Sequence, residues 1–171
     1  MKLTKTKELV LSGLLIALGL VLPMAFHLFK AGGPVFLPMH IPVLLGGMIL
    51  SPVFALLVGV LTPIVSNLLT SMPPLMPMLP IMIVELGLYG LVASILRKKL
   101  NLNVFISLII SMIIGRIGAG LVVYVMTSVF AVQFAPPIAF VIGGISKGIP
   151  GIIIQLIFIP IIVKAVEKSM R

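Results

Sequence analysis

The stretch IPVLLGGMILSPVFALLVGVLTPIVSNLL, residues 41–69, carries no charged side chain and is too long to be a single membrane crossing. A helix needs about 20 apolar residues to cross the hydrocarbon core of a bilayer. Ser51-Pro52 divides the stretch, because the residue before a proline disfavours a continued helix. The sequence therefore predicts two helices here, a short one over 41–51 and a longer one over 53–70.

The rest of the chain continues this pattern. Hydrophobic residues make up 61% of the 171 residues and charged residues only 9%, a balance that a water-soluble domain of this size cannot hold without exposing apolar surface. We therefore predict an all-α integral membrane protein, a six-helix transmembrane bundle that forms a single transmembrane domain over residues 1–171. The other four helices are expected over 8–27, 77–96, 103–127 and 138–165.

The basic residues are grouped at three junctions rather than in a patch that would suit nucleic acid. Lys and Arg favour the cytoplasmic ends of membrane helices, so both termini and the fourth-to-fifth junction are predicted to be cytoplasmic. The external loops then hold only Lys30. These junctions contain Lys2, Lys5, Lys7, Arg97, Lys98, Lys99, Lys164, Lys168 and Arg171.

Two absences from the sequence narrow the chemistry. The chain has no cysteine, which excludes thiolate-dependent catalysis. It also has no glycine-rich phosphate loop of the form GxxxxGKS or GxxxxGKT. Any ATP that drives this protein must therefore be bound by another subunit.

Three charged residues lie inside predicted helices: Glu85 in the fourth, Arg116 in the fifth and Lys147 in the sixth. A charge at the centre of a membrane helix costs about 2.5 to 3.5 kcal/mol on insertion scales and marks a candidate functional site. Counted from the external helix ends, all three lie roughly 12 to 17 Å deep at 1.5 Å per residue. The spacing predicts one polar layer in the outer half of the membrane.

This layer has an unbalanced charge. Glu85 could form a structural ion pair with Arg116 or with Lys147, but one acid cannot neutralise two cations. The surplus positive charge favours an anionic ligand. His40 at the external end of the second helix and Tyr89, one turn below Glu85, are expected to border the same pocket, and Asn67 belongs to the same outer half.

Glycines surround the lysine of this layer. Gly143, Gly144, Gly148 and Gly151 flank Lys147 and Pro150. We expect the sixth helix to be kinked or locally opened there; close packing through small residues is the alternative. The long first external loop, with Gly32-Gly33-Pro34 as a hinge, is expected to act as a lid.

The order of these features resembles the substrate-binding S-components of energy-coupling factor transporters. The resemblance covers essentially the whole chain and is strongest over residues 41–69. Gly13 and Ala17 in the first helix match the position of the family's alanine-xxx-alanine motif, with glycine in place of the first alanine. In the family this motif docks the membrane coupling subunit.

The resemblance implies a capture protein for a vitamin or vitamin precursor in the prokaryotic plasma membrane. It would work with a transmembrane T subunit and two ATPase subunits, and it implies no cofactor and no metal. Pockets of the family involve the first loop and the fourth to sixth helices, which makes His40, Glu85, Tyr89, Arg116 and Lys147 the candidates here. The few aromatic residues favour a small anionic ligand such as pantothenate or nicotinate over a large stacked ring.

Two other classes of function compete with this one. A proton-coupled secondary transporter could use Glu85 as its proton carrier, although the two halves of the chain show no inverted repeat. An intramembrane enzyme could use Glu85 and His40 as acid and base. One buried acid and one histidine are too few for a metal site, which counts against metal-dependent lipid chemistry.

Overall fold

A computed structural model of the protein describes residues 3–27 and 32–169, and these residues form seven α-helices. The helices are α1 (Lys5–His27), α2 (Gly32–Phe36), α3 (His40–Ile49), α4 (Pro52–Thr70), α5 (Met78–Lys98), α6 (Val104–Ser128) and α7 (Pro137–Ser169).

All six predicted helices are present, and the predicted division at Ser51-Pro52 is confirmed. α3 ends at Ile49 and α4 begins at Pro52. Ser51 between them is extended, with φ −68° and ψ 159°, and Pro52 occupies the first turn of α4, where its missing N–H is not needed. The short helix α2 was not predicted, because a five-residue helix leaves no periodic pattern in the sequence.

The number of membrane crossings is less than the number of helices. Five helices, α1 and α4 to α7, are long and apolar enough to cross a bilayer. α3 has 10 residues, and at 1.5 Å per residue it spans about 15 Å, half of a hydrocarbon core of about 30 Å. α2 and α3 together form the apolar segment Gly33–Ile49, hereafter the α2–α3 segment. A sixth crossing by this segment stays a prediction.

The core lies where α3, α4 and α5 meet, and α5 is the most buried of the five long helices in the described part of the chain. α4 and α5 approach so closely that their backbones touch. A Cβ atom on Gly90 would collide with the carbonyl oxygen of Ala55, and one on Gly59 would collide with the carbonyl oxygen of Leu86. Small residues are the usual means by which membrane helices pack this tightly.

The C-terminal end of α2 and the residue that follows it pack against α7. A Cβ on Gly151 would lie 2.6 Å from the carbonyl oxygen of Phe36. Nε2 of Gln155 lies 3.4 Å from the carbonyl oxygen of Leu37. α7 itself is helical without a break across Pro150. The expected local opening of this helix is therefore wrong, whereas the expected kink stays a prediction. Gly151 serves close packing with α2, which was the alternative.

Two polar contacts show which helix ends lie together. The carboxylate of Glu8 accepts hydrogen bonds from N and Oγ of Ser51, at 2.7 and 2.9 Å. Arg97 at the end of α5 pairs with Glu167 near the end of α7. We call this the basic end of the bundle, and the opposite end the cavity end. The cations of the described residues at the basic end are Lys5, Lys7, Arg97, Lys98, Lys99, Lys164 and Lys168.

Candidate functional site

A cavity of about 730 Å³ lies at the cavity end, within the range of about 300 to 1,000 Å³ typical of small-molecule sites. Its wall is formed by α1, the α2–α3 segment, α4 to α7 and the connections that precede α5 and α7. Most of the lining is apolar, and five methionines contribute: Met24, Met39, Met72, Met78 and Met82. The polar lining residues are His40, Ser66, Thr70, Glu85, Arg116 and Lys147.

Four of the six side chains predicted to bind substrate thus line one cavity: His40, Glu85, Arg116 and Lys147. The predicted polar layer is therefore brought together by the fold, from α3, α5, α6 and α7. Asn67 and Tyr89 do not line the cavity but hold residues that do, as described below.

Glu85 is at the centre of the polar network. Its side chain is buried, and its Oε1 lies 3.1 Å from Nη1 of Arg116. Tyr89, one turn further along α5, donates a 2.9 Å hydrogen bond from its hydroxyl to the same oxygen. Gly115 leaves room for the Tyr89 ring, since a Cβ there would overlap the ring atoms. Arg116 is therefore the cation that pairs with Glu85, a choice that the sequence left open.

His40, the first residue of α3, faces this network without joining it. Its Nε2 lies 3.7 Å from Oε1 of Glu85, beyond hydrogen-bond distance. Only 5% of the residue is exposed, and within the described residues neither ring nitrogen has a hydrogen-bond partner. Buried polar atoms of this kind normally have a partner. His40 is thus available to a polar group inside the cavity.

The two cations differ in what surrounds them. The Arg116 side chain is 11% exposed and reaches from α6 towards α7, where a Cβ on Gly144 would lie 3.0 Å from its Nη1. Lys147, one turn beyond Gly144, is exposed, and no carboxylate of the described residues lies within 4.0 Å of it. Because Glu85 is already paired, Lys147 supplies the surplus positive charge of the cavity.

Asn67 and its neighbour hold part of the cavity wall in place. Nδ2 of Asn67 donates to the carbonyl oxygen of Pro73 at 2.7 Å, and Oγ of Ser66 donates to that of Met72 at 2.7 Å. Both carbonyl groups belong to residues that line the cavity. A direct contact between Asn67 and substrate stays a prediction, and the geometry favours a positioning role for it, as it does for Tyr89.

The predicted docking residues lie away from the cavity, on the outer surface of α1. Gly13 and Ala17 are both exposed, and a Cβ on Gly13 would meet no atom of the described residues within 4 Å. Leu14 and Leu18 on the same helix are also exposed. This face of α1 is therefore open to another apolar helix.

Sequence reasoning missed Ser66 and Thr70 as lining residues, and it named Gly144 only as one of the glycines beside Lys147. Ser66 was detectable as one of three hydroxyl side chains in α4, next to Asn67. Gly144 carried no signal that distinguished it from its neighbours, because its contact with Arg116 depends on how α6 and α7 pack. In the described residues no three His, Asp or Glu side chains are grouped in a way that could hold a metal ion.

The fold and the cavity together define a multi-pass membrane protein with a site of small-molecule size. The family model for the ECF transporter, substrate-specific component, matches residues 7–163, and the chain belongs to this family. Membership implies a T component and ATPase subunits as partners and a small molecule as substrate. No curated protein and no solved structure matches the chain.

Proposed function

We propose that this chain is the membrane-embedded subunit that captures a vitamin or vitamin precursor for an ECF-type importer, and that its substrate is a small anion of the pantothenate or nicotinate kind. The observation that carries the proposal is the charge arrangement of the cavity. Glu85 and Arg116 neutralise each other at 3.1 Å, while Lys147 lines the same cavity with no carboxylate near it in the described residues.

The binding residues follow from their place on the cavity wall. Lys147 attracts the negative group of the substrate, and Arg116 adds donors that its pairing with Glu85 leaves free, since a guanidinium has five N–H groups. His40 offers ring nitrogens that lack a partner in the described residues. Tyr89 fixes Glu85, and Asn67 fixes the connection between α4 and α5.

The proposed orientation places the cavity on the outside of a prokaryotic plasma membrane. The cations of the basic end, which include Arg97, Lys98 and Lys99, favour the cytoplasm. The N-terminal end of α1 and the C-terminal end of α7 then lie on the cytoplasmic side, and the cavity end takes substrate from outside. An importer needs this arrangement, because its capture subunit must meet substrate before the ATPase subunits act.

The proposed docking surface is the exposed face of α1 around Gly13 and Ala17. Small residues at this spacing let a second helix approach closely, which favours contact with the transmembrane T subunit. Two ATPase subunits complete the proposed importer. The T subunit would contact this face of α1, so bulky substitutions there should reduce assembly but leave binding by the isolated subunit unchanged.

Binding and transport measured separately test the proposal against its competitors. Titration calorimetry of the purified protein against a panel of B vitamins and precursors should reveal one anionic ligand bound one-to-one. Vesicles containing this chain alone should not accumulate that ligand, and vesicles that also contain the T and ATPase subunits should do so with ATP. Accumulation by the chain alone under a proton gradient would instead establish a secondary transporter. Conversion of a bound lipid or vitamin to product would establish an enzyme.

A further inference from the structure

Among the described residues, the hydrogen-bond pattern around Glu85 leaves one carboxylate oxygen without a partner. Tyr89 and Arg116 both approach Oε1, and His40 is nearest to the same atom. Within the described residues Oε2 accepts no hydrogen bond, although Glu85 lines the cavity. A carboxylate has about four acceptor positions. The cavity wall therefore offers an acceptor beside the ring nitrogens of His40.

Another helix, α7, supplies hydrogen-bond donors to the cavity rather than an acceptor. Lys147 on α7 has three N–H donors and no acceptor, and no carboxylate of the described residues lies within 4.0 Å of it. Arg116 lies between Glu85 and α7, as its contact distances of 3.1 Å to Oε1 and 3.0 Å to a Cβ on Gly144 show. The group that attracts an anion, Lys147, and the group that accepts hydrogen bonds, Oε2 of Glu85, thus lie on different helices of the wall.

The wall around these two parts is apolar but poor in aromatic rings. Five methionines line the cavity, and Phe140 is the one phenyl ring among the described lining residues. Methionine side chains are flexible and adapt to irregular aliphatic shapes, whereas a planar ring is usually held by stacked aromatic side chains.

We infer that the substrate is an aliphatic monocarboxylate with hydrogen-bond donors at its far end. Its carboxylate binds Lys147, its hydroxyl or amide N–H groups donate to Oε2 of Glu85, and His40 contacts the same end. Its aliphatic middle lies on the methionine residues. This inference rests on the proposed capture function and selects the pantothenate-like over the nicotinate-like class.

Four probes in titration calorimetry test both ends of the substrate on the wild-type protein. Pantothenate has a carboxylate and two hydroxyl groups. Panthenol replaces the carboxylate with an alcohol, and N-(3,3-dimethylbutanoyl)-β-alanine keeps the carboxylate but lacks both hydroxyls. Nicotinate is the ring carboxylate. Pantothenate should bind best, and each analogue should bind at least about tenfold more weakly, which corresponds to about 1.4 kcal/mol.

The variant Glu85→Gln links the donor end to this residue. It should weaken pantothenate binding and reduce the difference between pantothenate and its dideoxy analogue to within about twofold, a free-energy difference under about 0.5 kcal/mol. Lys164→Gln, on α7 at the basic end, is the control and should bind all four probes as the wild type does. If Glu85→Gln fails to fold, the wild-type comparison of the matched probes still decides.

The possible failures are distinguishable. Equal affinity for pantothenate and its dideoxy analogue, or tighter binding of nicotinate than of pantothenate, would overturn the two-ended substrate. So would tight binding of a vitamin that lacks either the aliphatic carboxylate or the far-end donors, with neither pantothenate nor nicotinate bound, although capture itself would then stand. If no vitamin or precursor in the wider panel binds to the wild-type protein, the proposed capture function fails first.

Discussion

The two ends of the bundle each contain a glutamate paired with an arginine, and the two pairs lie in different surroundings. At the cavity end Glu85 and Arg116 are 3.1 Å apart, with side chains 4% and 11% exposed. At the basic end Glu167 and Arg97 are 2.6 Å apart, with side chains 42% and 24% exposed. The same chemical pair is therefore buried in one place and solvated in the other.

The buried pair and the exposed pair therefore differ in what they cost the folded protein. A buried pair loses the hydration of both ions, and apolar residues of similar volume are often equally stable or more stable in its place. Glu85–Arg116 is thus a costly way to join α5 and α6, and its position on a cavity wall gives a reason for keeping it. Glu167–Arg97 connects two helix ends at low cost and needs no such reason.

Removal of the buried arginine is the change with the largest expected effect. Arg116→Met leaves Glu85 as an uncompensated buried charge, so the free energy of unfolding should fall by about 3 to 5 kcal/mol. Denaturant titration in detergent micelles measures this loss. The matched change at the basic end, Arg97→Met, should cost about 1 kcal/mol, because Glu167 stays hydrated. Equal losses would remove the distinction between the two pairs.

A double variant sharpens the same comparison by separating stability from binding. Glu85→Met with Arg116→Met removes both buried charges and should restore most of the stability lost by the single variant. Ligand affinity should stay well below that of the wild type, because Glu85 and Arg116 no longer contact the substrate, even though Lys147 and His40 still line the cavity. Restored binding in calorimetry would show that the pair serves the fold alone.

Removal of the Glu8 carboxylate, the other acidic group at the basic end, should have the second-largest effect on the free energy of unfolding. Glu8 is 6% exposed and accepts hydrogen bonds from N and Oγ of Ser51. Hydrogen bonds to charged groups contribute about 1.5 to 3 kcal/mol, so Glu8→Ala should lower the free energy of unfolding by about that amount. Ser51→Ala removes one donor only and should cost less. Because both residues lie far from the cavity, a changed ligand affinity in either variant would contradict this assignment.

A smaller effect is expected where α7 passes Arg116. Gly144→Ala places a Cβ 3.0 Å from Nη1 of Arg116 and should displace the guanidinium by a few tenths of an ångström. Ligand affinity in calorimetry should fall by about threefold to tenfold, under about 1.4 kcal/mol. Gly143→Ala is the control, since a Cβ there meets no atom of the described residues within 4 Å. A larger loss in the control would show that space, rather than the guanidinium position, limits binding.

The exposed pair should give the smallest effect of all. Glu167→Gln should change the free energy of unfolding by at most about 1 kcal/mol, and salt should reduce even that difference. Ligand affinity should be unchanged. Unfolding titrations at low and high ionic strength check the first statement, and a loss above that of Glu8→Ala would reverse the proposed order.

Much of the fold was predictable because apolar length and proline position are local signals. The helix limits of α4, α5 and α6 lie within two residues of the predicted ones. The position of α2 was not predictable, because it depends on how closely Phe36 approaches Gly151 of α7. Whether the α2–α3 segment completes a sixth membrane crossing was not predictable for the same reason.

The polar lining of the cavity was predictable in its residue types and not in its pairings. A charge inside an apolar run is visible in the sequence, which is why Glu85, Arg116 and Lys147 were found. Their geometry depends on helix rotation, and so the choice of Arg116 as the partner of Glu85 came from the structure. The roles of Asn67 and Tyr89 behind the cavity wall depend on the same rotations.

The most direct test of the central claim compares two lysines on one helix. Lys147→Gln removes the surplus cation of the cavity, while Lys164→Gln makes the same change 17 residues further along α7, about 25 Å away at 1.5 Å per residue. Calorimetry with the ligand found in the vitamin panel should show affinity about tenfold to a hundredfold lower for Lys147→Gln, the loss expected for a hydrogen bond to a charged group. Lys164→Gln should bind like the wild type. Unchanged affinity in Lys147→Gln would contradict the capture of an anion at this cavity.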